Sequence, residues 1–152
     1  MSRHFLRLTV IASLVATFAT GCGNSERPVD AMTLYSLDGS YVSEEGKVWK
    51  GEMFHGFTVL AKTEVESASD RMAILTAVKK GFTKYDGTMA CFWPHHGVSL
   101  VQNGKRIDYT ICFRCLKLVQ FTDGADEFKQ IDNSAEKVLN AQLAKAGIFV
   151  NE

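Results

Sequence analysis

The sequence has few prolines, two in 152 residues, and no excess of either charge, with 17 basic against 17 acidic side chains. With 46% apolar and 22% charged residues, it is neither collagen-like nor disordered, and the absence of an internal repeat excludes a solenoid. A balanced charge leaves no basic excess to follow a phosphate backbone, so nucleic acid is not an expected partner. There is no phosphate-binding glycine loop, no Gly-x-Ser-x-Gly elbow and no His-Glu-x-x-His, which lowers the weight of several enzyme classes without excluding others. What remains is one ordinary core and four cysteines.

The only long apolar run is at the start. Arg3 and Arg7 flank the beginning of an uncharged stretch from Leu8 to Thr20. A basic head followed by about a dozen apolar residues is a secretory signal, too short to span a bilayer. It ends in Phe18-Ala19-Thr20-Gly21-Cys22. Small residues before one cysteine resemble the lipobox of bacterial lipoproteins, with Ala19 in place of the usual leucine. The resemblance implies cleavage before Cys22 and acylation of that cysteine, which anchors the chain to a membrane. Gly23 follows in place of a retaining Asp, so the family rule implies the outer membrane or surface.

Residues 1–21 are therefore expected to be a signal peptide, 22–31 a tether at the lipid anchor, and 32–152 one domain. Removing 21 residues, two of them arginine and none acidic, leaves 131 residues with a net charge of −2. If Cys22 carries lipid, Cys91, Cys112 and Cys115 remain, and an odd number cannot all pair within one chain.

Met32 to Leu37 alternates partly and meets Asp38-Gly39, which predicts a strand and a turn. Residues 40–55 read as an ordered loop with short extended pieces, and 57–61 as a strand. Met72, Leu75, Val78 and Phe82 recur at helical spacing, which predicts a helix over 70–82 capped by Ser67 or Ser69. A second helix is expected over 134–146, with Asn133 and Glu136 as a capping pair and Gly147 as its stop. The predicted class is α+β: a small antiparallel sheet with two packed helices.

Gln102-Asn103-Gly104-Lys105 is the clearest local signal in the mature chain. Asn-Gly between β-rich runs favours a two-residue turn in which both residues take positive φ. Paired residues then have numbers summing to 207. Leu100, Val98 and His96 face Ile107, Tyr109 and Ile111 on the apolar side, and His95 falls with Cys112 on the other. Extending the register brings Cys91 beside Cys115. A break at Cys112-Phe113-Arg114-Cys115 is expected, because the apolar phase shifts there from odd to even positions.

Three readings of this cluster are open. Cys91, Cys112, Cys115 and a histidine would make a Cys₃His set for structural zinc, with Cys-x-x-Cys resembling the knuckle of zinc ribbons. A disulfide with one leftover thiol needs no metal outside the cytoplasm. A reactive thiol beside His95 or His96 would make an enzyme or redox protein. The stretch Cys91-Phe92-Trp93-Pro94-His95-His96-Gly97 with Cys112-Phe113-Arg114-Cys115 also resembles a group of bacterial secreted proteins without an assigned activity. That resemblance covers about residues 57–121 and favours His96 as the ligand, with His95 as the alternate.

The remaining features take plain readings. His55 is a loop or partly buried histidine, Trp49 and Trp93 are packing residues, and Asp126-Glu127 is a solvated pair. The expected protein is a lipid-anchored binding or structural domain whose partner is an envelope protein or small ligand.

Overall fold

The computed structural model describes residues 27–41, 51–84, 87 and 91–150. Its class is α+β: one eight-stranded antiparallel sheet with two helices. The strands are β1 (Ala31–Tyr41), β2 (Met53–Phe54), β3 (Phe57–Glu64), β4 (Phe82–Thr83), β5 (His96–Gln102), β6 (Lys105–Cys112), β7 (Lys117–Thr122) and β8 (Ala125–Ile131). Helix α1 (Ala68–Lys80) follows β3, and α2 (Glu136–Lys145) ends the fold. Across the sheet the order is β2-β3-β1-β5-β6-β7-β8-β4. The signal segment and Trp49 lie outside the described residues.

Alternation along the strands sorts the side chains onto two faces. Leu34, Val98, Leu100, Tyr109, Ile111 and Leu118 meet Ile74, Leu75 and Val78 of α1 and Leu139 and Leu143 of α2 in the main core. On the opposite face Tyr35, Leu37, Phe54 and Phe57 form a second, aromatic core joined by Phe92. Val29 is buried in the main core, and the Asp30 amide donates to the Val101 carbonyl at 2.8 Å. The packed chain thus begins upstream of β1, within the segment read as tether.

The β5–β6 hairpin has the expected register, from His96 opposite Ile111 to Gln102 opposite Lys105. Asn103 and Gly104 take φ of 56° and 71°, as the two-residue turn demands. Helix α1 begins at Ser67, whose hydroxyl accepts from the Asp70 amide at 3.2 Å. Helix α2 starts later than the sequence implies. Residues 133–135 form a turn in which the Glu136 amide donates to the Asn133 carbonyl, so the cap position falls on Ala135, which has no side-chain capping bond.

At Asp38-Gly39 the strand runs on where the sequence predicts a turn. A Cβ on Gly39 would stand 3.0 Å from the Trp93 carbonyl carbon, so this glycine admits the 91–95 loop over the strand. Register shifts at Ser36/Leu37 and between Asp38 and Tyr41 bend β1. Irregularities of this kind increase local twist. The β2–β3 end of the sheet curls over the aromatic face far enough for its turn to touch β7.

Candidate functional site

The three cysteines converge on one end of the β6–β7 hairpin. Cys112 closes β6 and pairs with Lys117 of β7, so 113–116 is a four-residue turn. Leu116 takes φ of 55° there, a backbone region that branched or bulky side chains enter at some cost. Three restraints hold it: the Leu116 amide donates to the Phe113 carbonyl at 3.0 Å, the Ile131 amide to the Leu116 carbonyl at 3.1 Å, and Cys112 and Cys115 are disulfide-bonded. The turn is the predicted break in phase, and a covalent link supplies the constraint that Phe-Arg lacks.

Cys91 is a free, exposed thiol. It lines a pocket of about 330 Å³ with Trp93, His95, Cys112, Arg114 and Cys115. The hairpin register thus brought residues twenty apart to one place. Cys112 is buried, and its sulfur accepts the Cys115 amide at 3.1 Å. His95 belongs to this pocket, and its carbonyl accepts the Leu37 amide at 2.9 Å. His96 projects to the other side of the sheet. There it is buried, its Nε2 lies 2.7 Å from Asn140 Oδ1 of α2, and its ring stands edge-on to Phe113. Among the described residues no group of three or more His, Cys, Asp or Glu side chains is placed to hold a metal ion.

A second cluster, on the aromatic face, was not singled out from the sequence. His55 and Gly56 join β2 to β3 with φ of 47° and 86° in a two-residue turn. This geometry lays the imidazole flat on Phe121, with centroids 3.6 Å apart and planes 9° apart, while Phe54 stands edge-on at 4.7 Å. Asp108 projects from β6 to the same spot. Its carboxylate is only 7% exposed and accepts from His55 Nε2 at 2.8 Å. It also accepts from Arg106 Nε at 2.9 and 3.1 Å.

Arg106 and Asp108 are two apart on one strand and share a face. Hydrogen bonding to Asp108, opposed by desolvation, raises the pKa of the Arg106 guanidinium. Burial likewise raises the nearby Tyr35 phenol, with Arg106 and Lys62 acting against it. A buried carboxylate is costly unless paired and hydrogen-bonded, and the Arg106 guanidinium and the His55 ring are its partners.

No protein-family model, curated protein or solved structure matches this chain. Its chemistry is therefore read from these two clusters. His55 is the partly buried turn histidine expected, 26% exposed at its side chain, but it faces a buried acid in a cleft. The Asp-His contact spans 53 positions, with α1, β4 and β5 between the two residues, so no local spacing signals it.

Proposed function

We propose that the protein is a lipid-anchored, extracytoplasmic binding domain, held to the outer membrane through Cys22, with a non-catalytic role toward an envelope protein or small ligand. The observation that carries this reading is the Cys112–Cys115 disulfide. Such bonds persist in oxidising compartments and are rare in the cytosol, which accords with the signal-like start and with Cys22 at the exit of its apolar run. The bond braces the β6–β7 turn and thereby one end of the sheet. Cys91 is left as the odd thiol.

The test is the Cys22→Ser variant in a bacterial host. The native chain takes up labelled fatty acid and sediments with membranes, and the variant does neither. A variant that stays membrane-bound, together with a native chain that takes up no lipid, overturns the anchor. One equivalent of zinc on chelator-free protein, with three thiols that react once the metal is removed, overturns the disulfide and restores the Cys₃His reading, with His95 the histidine that shares the pocket of the three cysteines.

A redox role is a second reading, favoured by one observation: the exposed Cys91 thiol lines the same pocket as the disulfide. Its test is exchange with oxidised and reduced glutathione. Equilibration that the Cys91→Ser variant loses supports a thiol-exchange protein, and equal behaviour of the two rejects it.

A further inference from the structure

We propose that the cleft between the β2–β3 turn and β6–β7 is a binding site for a small organic carboxylate with an apolar body. The cleft measures about 390 Å³ and is lined by Met53, Phe54, His55, Arg106, Asp108, Phe121, Thr122 and Asp123. That volume falls in the range of small-molecule sites, which combine apolar walls with a few fixed polar groups. The inference rests on neither the anchor nor the cysteines, since this cluster shares no residue with the thiol pocket.

The polar groups are preorganised. Asp108, buried, fixes Arg106 through Nε alone, and neither Nη of Arg106 has a hydrogen bond among the described residues. A guanidinium oriented in this way presents its outer fork to a carboxylate, the planar anion that matches it with two parallel hydrogen bonds. The ion pair holds one edge of this 60% exposed side chain, so part of the ordering entropy is already lost before a ligand binds. Asp108 accepts from His55 Nε2, so the imidazole is held by its Nε2 edge and packed between Phe121 and Phe54.

The walls and the charge count narrow the ligand. Met53, Phe54 and Phe121 offer apolar surface beside the Arg106 fork, and Met53 is partly exposed on the free protein. Asp123 and Thr122 also line the cleft. Asp108 is taken up by Arg106 and His55 and Asp123 adds a second carboxylate, while Arg106 is the one guanidinium among the described residues there, so a dianion is repelled more than a monoanion. A monoanion whose body covers the apolar wall fits; a free phosphate lacks that body and brings excess charge.

The experiment is a titration of the full-length chain, in mild detergent, with benzoate, followed by amide and side-chain NMR shifts. Inorganic phosphate is the second probe. Benzoate should give saturable shifts at His55, Arg106 and Phe121. Arg106→Gln should weaken it about tenfold or more, the equivalent of one charge-assisted hydrogen bond. Arg106→Lys keeps the charge without the fork and should weaken it as well, while Arg114→Gln, in the thiol pocket, should bind as the native chain does. The native far-ultraviolet spectrum of each variant shows that it has folded. Absence of saturable shifts, or an Arg106→Lys variant binding as tightly as the native chain, overturns the proposal. Phosphate binding as tightly as benzoate overturns the carboxylate assignment in favour of an unselective anion contact.

Discussion

Replacing Gly97 by alanine tests how the aromatic face holds the His55 turn. Gly97 lies in β5 between Tyr35 of β1 and Thr110 of β6. An added Cβ would stand 2.9 Å from Phe54 Cε1, 3.0 Å from its Cδ1 and 3.1 Å from Tyr35 Cβ. Phe54 stacks on Tyr35 with centroids 4.2 Å apart, so the two rings roof this glycine. Tyr35 Cβ is fixed to a central strand and cannot retreat; Phe54 belongs to a two-residue edge strand and can.

Two effects oppose each other. Alanine in a strand interior gains about 0.5–1 kcal/mol over glycine through the unfolded chain. Overpacking a well-filled site costs about 1–3 kcal/mol. Contacts near 3.0 Å with the Phe54 ring and the Tyr35 Cβ favour the cost, and the yielding edge strand keeps it in the lower half of that range, so a net loss of about 0.5–1.5 kcal/mol is expected. Urea unfolding followed by circular dichroism should show a lower midpoint with an unchanged slope. Because Phe54 precedes His55, the His55 and Phe121 resonances should move in the folded variant. Shortening the roof with Phe54→Leu should recover at least about 0.5 kcal/mol of the loss in a double-mutant cycle. An unchanged or raised midpoint would refute the packing argument, and additive losses would show that Phe54 is not the obstacle.

Other consequences are open to direct measurement. Opening the Cys112–Cys115 link with a Cys112→Ser, Cys115→Ser pair should cost about 2 kcal/mol, the loop-closure value for a four-residue ring, read as a lower urea midpoint. Burial, with a smaller push from Glu127, raises the Tyr109 phenol to about 12. The folded state therefore holds that proton more tightly, and stability falls as pH climbs from 10 toward 12; Tyr109→Phe should abolish about 3 kcal/mol of the fall. Asp132 is held below the usual carboxylate range by hydrogen bonds from Ser134, first its side chain and then its backbone. Its contribution is present above pH 3.8 and is lost as pH falls through the lower folded value, so Asp132→Asn should flatten the acid side of a stability profile.

What the sequence disclosed follows from how local each feature is. Asn103-Gly104 needs no distant partner, since the turn's backbone demands set the register and carry Cys91 and His95 to Cys112 and Cys115. The two histidines separate across the sheet because adjacent strand residues alternate, as the register implied. Asp38-Gly39 misleads because a glycine serves turns and close approaches alike, and only the folded 91–95 loop shows which. Strand β8 is not legible in the sequence because residues 125–128 are exposed and show no alternation, although Asp123-Gly124 before it is a hairpin signal of the same kind as Asn103-Gly104. The His55–Asp108 pair depends on bends in β1 that curl the sheet, and nothing in either residue's neighbourhood encodes that.

Cys112 and Cys115 are bonded to each other while Cys91 is free. Alkylation without reduction, followed by trypsin and mass spectrometry, addresses it directly. Cleavage after Arg106, Arg114 and Lys117 leaves Ile107–Arg114 and Cys115–Lys117 as separate peptides unless a disulfide joins them. The joined pair, with alkylation at Cys91, is the expected result. Separate peptides, with all three cysteines alkylated after metal removal, would contradict it.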